Sequence, residues 1–164
     1  MWFKRSAAGF CLCALSVMTS AFAQSGPVQS KLTANQVVEV AGKPVLKPAA
    51  QAHPGDVVEY RAVYTNNGAT GIGHLLATIP VPAGTTYIAG SAVPAAGAQA
   101  SLDGVHFAPM PLMHVVNNAD GKPEQKPVPL ADYRALRWQV PALSAHADVT
   151  ASLRVRINPP VSAK

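Results

Sequence analysis

A chain of 164 residues with 49% hydrophobic and only 13% charged residues is expected to form a single folded domain, not a disordered tail. Fifteen prolines, all beyond Gly26, leave little room for long helices, and valine and isoleucine together outnumber leucine, which favours strands. The formal charge of +5 falls to +3 without Lys4 and Arg5, and the other basic residues are scattered without aromatic interleaving, which argues against nucleic acid as a partner.

Lys4 and Arg5 precede an apolar run over 7–17, and Ala21-Phe22-Ala23 then offers small residues at the two positions a signal peptidase reads. Residues 1–23 are therefore expected to be a signal peptide, cleaved between Ala23 and Gln24. The reading places the protein outside the cytoplasm, in the periplasm or at the surface or secreted, with no membrane span after processing. Both cysteines, Cys11 and Cys13, leave with that segment, so the mature chain has no disulfide, thiolate ligand or thiol nucleophile.

Residues 24–35 are polar and small and read as a flexible leader. Strand-like sequence begins at 36–40, and His53-Pro54-Gly55-Asp56 has turn composition. Over 56–66, Val58, Tyr60, Ala62 and Tyr64 fall on one side while Glu59, Arg61 and Thr65 fall on the other, the period of a half-buried strand. Further strands are predicted over 72–79 and 85–88, and an irregular alanine- and proline-rich stretch over 91–100. Residues 101–107 read as a hairpin with Asp103-Gly104 at its tip. The segment 117–129, with Asp120-Gly121 and three prolines, reads as an exposed loop. Leu136, Trp138 and Val140 alternate again, and Val149, Ala151, Leu153, Val155 and Ile157 face away from Thr150, Ser152, Arg154 and Arg156.

Short strands joined by turn chemistry predict an all-β immunoglobulin-like antiparallel sandwich of about seven strands over 36–158, with 159–164 as a tail. Its core is expected to hold Tyr60, Tyr64, Leu136, Trp138, Leu153, Val155 and Ile157, with Trp138 between the two sheets.

Three blocks carry a resemblance: Pro54-Gly55-Asp56-Val57-Val58-Glu59-Tyr60, Thr65-Asn66-Asn67-Gly68-Ala69, and Ile79-Pro80-Val81-Pro82-Ala83-Gly84-Thr85-Thr86-Tyr87. With Ser101-Leu102-Asp103-Gly104 and the closing segment from Leu136-Arg137-Trp138 to Ile157, they resemble the domain-of-unknown-function 11 family, immunoglobulin-like repeats of bacterial exported and surface proteins. The resemblance spans about 37–158. It implies a sandwich fold and an envelope or surface setting, and it brings no catalytic residues.

Two constellations invite chemistry. Ser144, His146 and Asp148 lie at alternate positions, yet a hydrolytic triad needs a buried acid to orient its imidazole, and this segment reads as a surface turn. His106, Met110, Met113 and His114 offer imidazole and thioether groups suited to Cu(I), or else Met110 and Met113 fill a core gap beside Phe107 and Leu112. The carboxylates are dispersed, and no phosphate-cradling loop, calcium loop or other cofactor motif is present. The expected role is a non-enzymatic module that binds another envelope or surface protein or packs in an assembly. The 117–129 segment is either its contact surface or a disordered loop that binds nothing, and an exported copper carrier is the alternative role.

Overall fold

The computed structural model describes residues 26–160. The expected signal peptide over 1–23, its cleavage site and the end of the tail over 161–164 lie outside the described residues.

Eleven strands follow one another: β1 (Val28–Val40), β2 (Lys43–Pro48), β3 (Val57–Asn66), β4 (Ile72–Pro80), β5 (Thr85–Tyr87), β6 (Gln99–Ser101), β7 (Ala108–Pro109), β8 (Met113–Asn117), β9 (Pro123–Pro127), β10 (Ala135–Leu143) and β11 (Asp148–Ile157). Their pairing is antiparallel throughout. A five-stranded sheet runs β2-β1-β3-β11-β5, a four-stranded sheet runs β4-β10-β6-β7, and β8 with β9 forms a separate ribbon. The first two sheets face each other as an all-β, immunoglobulin-like sandwich. It has nine strands where about seven are expected, because β2 pairs beside β1 and the short β6 and β7 close the second sheet.

The alternation in the sequence becomes the core. Val58 and Ala62 of β3, Ala77 and Ile79 of β4, Leu136 and Trp138 of β10, and Ala151, Leu153 and Val155 of β11 are buried together. Tyr60, Tyr64 and Ile157 pack against this cluster while staying partly exposed. Each large side chain removed from water here contributes about 1.5–3 kcal/mol. The Trp138 indole N–H donates to the Pro94 carbonyl at 2.7 Å, so its one polar atom is satisfied inside the interior.

Two side chains tie the sheets to each other. The Tyr64 hydroxyl donates to the Thr78 carbonyl and accepts from the Thr78 N–H, both at 2.9 Å, which satisfies one backbone unit of β4 from the facing sheet. Asn66 is fully buried, and its amide donates to the carbonyls of Thr70, Leu143 and Ser144 at 2.9, 3.2 and 3.0 Å. Its carbonyl accepts from the Gly68 N–H at 2.9 Å, so one residue pins both turns at that end of the sandwich.

Three expectations are corrected. Residues 28–35 are not a flexible leader: they form the first half of β1, paired with β3 from Val28↔Asn66 to Val37↔Val57. Small polar residues are poor strand formers alone, but an open edge beside β3 supplies a ladder for them. The 117–129 segment is not a plain loop, since Pro123 and Pro127 stand at the two ends of β9, which pairs with β8 throughout its length. Glu59, expected on the solvent face of β3, is buried there under two guanidiniums. Arg61 meets its Oε1 at 3.0 Å, and Arg154, directly opposite across the ladder, meets its Oε2 at 3.0 Å.

Candidate interaction surface

The β8–β9 ribbon leaves the open side of the sandwich and is held at both its root and its tip. At the root, the Val128 N–H donates to the Leu112 carbonyl at 2.8 Å, and the Leu112 N–H donates to the Tyr133 hydroxyl at 2.9 Å. Val128 and Tyr133 are buried, so the ribbon grows directly from core residues. At the tip, the Asn118 carboxamide oxygen accepts from the N–H groups of Asp120 and Lys122 at 3.0 and 2.9 Å. Gly121 takes a φ of 75°, a conformation that residues with a Cβ resist.

Register divides the ribbon into two faces. Met113 and Val115 stand opposite Pro127 and Gln125, while His114 and Val116 stand opposite Lys126 and Glu124. Lys126 and Glu124 form an exposed ion pair at 3.3 Å on the second face. On the first face, beside Pro127 and Gln125, two apolar side chains are open to solvent: Met113 is 47% and Val115 64% exposed. Met113 also lines a groove of about 250 Å³ with Leu102, Leu112, Asp103 and His106, so this face continues onto the body of the sandwich. Pro123 and Pro127 withhold two N–H groups from β9, which limits how far its free edge templates further strands.

The groove's far wall is the tip of the β6–β7 hairpin, with Asp103-Gly104 in its turn as expected. The Asp103 carboxylate accepts from the His106 ring Nδ1 at 2.6 Å, from the N–H groups of His106 and Val105 at 2.8 Å each, and from the Ser101 hydroxyl at 2.9 Å. Those bonds, the His106 ring first, hold the Asp103 carboxyl well below the usual carboxylate range. They also fix one nitrogen of His106 and leave Nε2 as its free ring atom.

The four candidate copper ligands, His106, Met110, Met113 and His114, are not brought together. His106 and Met113 share the groove. Met110 lines a separate pocket with Tyr87 and Tyr133. His114 projects from the other face of the ribbon, since adjacent strand residues point opposite ways. Among the described residues, no three His, Cys, Asp or Glu side chains gather as metal ligands. Ser144, His146 and Asp148 lie at the turn between β10 and β11, all exposed, so no buried acid stands behind the imidazole.

Tyr133 escaped the sequence reading. It sits alone in a proline-flanked stretch with no period to mark it, yet it is buried and stacks on Tyr87 with ring centroids 5.8 Å apart and planes 10° apart. Burial pushes the Tyr87 phenol up, with hydrogen bonds from Ser91 and Ala92 acting the other way. No helix among the described residues is long and apolar enough to cross a membrane. Comparison of the chain with family models, curated proteins and solved structures finds no match.

Proposed function

We propose that this chain is an exported, non-enzymatic β-sandwich module that binds another protein of the cell envelope or surface through the β8–β9 ribbon and the groove beside it. One observation carries the reading: the ribbon is ordered at root and tip, yet its Met113–Val115 face lies open to solvent. A two-stranded ribbon is marginal by itself, and an ordered apolar face lowers the entropic cost of binding. The signal-peptide pattern over 1–23 and the resemblance of the 54–87 blocks to exported immunoglobulin-like repeats support the setting.

The test is a shortened ribbon in which His114 and Lys126 are joined by an Asn-Gly turn, leaving Leu112, Val128 and Tyr133 in place. Capture of a partner from envelope extract is expected to be lost while the thermal midpoint stays nearly unchanged. Undiminished capture by the shortened protein removes the ribbon from the interface. Hydrolytic turnover that disappears on His146→Ala overturns the non-enzymatic reading itself.

A further inference from the structure

On the open side of the sandwich, between the β5 edge of one sheet and the β7 edge of the other, lies a pocket of about 260 Å³. Met110, Pro111 and Leu130 supply its large accessible surfaces, the buried Tyr87 and Tyr133 rings lie at its floor, and alanine and glycine between 89 and 95 supply a thin wall. None of the lining side chains is charged. Its shape is held from behind: Tyr133 is anchored through its hydroxyl to the Leu112 N–H, and its ring stacks on Tyr87.

We infer that this pocket binds a neutral aromatic group of one or two fused rings. Size sets the upper limit, because a dry apolar cavity of ~150 Å³ already accommodates benzene, and 260 Å³ leaves room for an indole. Lining chemistry sets the class. A thioether and tyrosine rings favour an aromatic guest over an aliphatic one of equal volume. The lack of a charged lining residue disfavours an ion, which would lose its hydration without a partner. The ring is either a free small molecule or a side chain presented by another protein. Either one occupies the pocket whether or not the ribbon captures a partner, so the inference stands apart from the proposed function.

The test follows the methionine methyl signals of the purified, processed protein during titration with indole, toluene, methylcyclohexane and N-acetyltryptophanamide. Indole and toluene are expected to give a saturable shift at Met110 and none at Met113. Methylcyclohexane is expected to bind about two- to tenfold more weakly than toluene. Ala95→Leu, placed on the exposed rim, is expected to abolish the Met110 shift with the thermal midpoint retained, and Ala89→Leu serves the same purpose if Ala95→Leu fails to fold. Binding of N-acetyltryptophanamide as tight as indole assigns the pocket to a ring carried on a chain, and binding of free indole alone assigns it to a small molecule. No saturable shift at Met110 overturns the inference. So does methylcyclohexane binding as tightly as toluene, or a folded rim variant that binds as the parent does.

Discussion

Strand β3 alternates Val58, Tyr60, Ala62 and Tyr64 with Glu59 and Arg61, and strand β8 sets Met113 and Val115 against His114 and Val116. In both, apolar side chains recur at alternate positions, yet β3 is central and β8 is an outlier. β3 has a neighbour on each side and a second sheet over its apolar face, whereas β8 has β9 alone. Apolar alternation thus makes a strand in both places, and only what lies across from it decides between core and open surface. The same contrast holds inside β1: Val37 lies between β2 and β3, while Leu32 has β3 on one side alone and stays half exposed.

Four substitutions break or sharpen the contrast. Leu153→Ala, at a fully buried position of β11, is expected to cost about 2–5 kcal/mol, seen as a lower urea midpoint with an unchanged slope. Asn66→Ala leaves the carbonyls of Thr70, Leu143 and Ser144 without their common donor, and a loss of about 1–3 kcal/mol is expected by the same measurement. Val115→Ser on the ribbon is expected to stay within about 0.5 kcal/mol of the parent, because its side chain is already in water, while partner capture from envelope extract falls. A destabilisation as large as that of Leu153→Ala would show that the ribbon packs as core.

The smallest effect belongs to the Asp103 turn. Its folded carboxyl titrates below its unfolded value near 3.9, so the turn's stabilisation is complete above about pH 5, falls progressively as pH drops below the unfolded value, and is gone once pH has passed the lower, folded value. Amide shifts of Val105 and His106 are expected to hold steady through pH 4 and to move at more acid pH. In Asp103→Asn the acid transition should vanish, because no carboxylate is left to protonate.

Much of the sandwich was legible along the chain. β3, β10 and β11 declare themselves because strand period is local and needs no partner to be read, and Asp103-Gly104 marks its turn through its own backbone preference. The site was legible only in part. The 117–129 segment stood out as long and polar, but its register, and hence which side chains share the apolar face, depends on β8 meeting β9. The Met/His set looked compact in sequence and is dispersed in space, because strand geometry turns Met113 and His114 to opposite faces and the chain path carries Met110 into another pocket.

Composition and alternation by themselves determined that this protein is all-β and that Leu136, Trp138, Leu153 and Val155 face inward. Tertiary structure decided the rest. It made a strand of 28–35 by offering the edge of β3, and it buried Glu59 by laying Arg154 across the ladder from it. It also closed a pocket around Tyr133, a residue with no local pattern. The physical reason is common to all three. A side chain's periodicity is set by its own backbone, but its burial is set by whatever the rest of the chain brings to its other side.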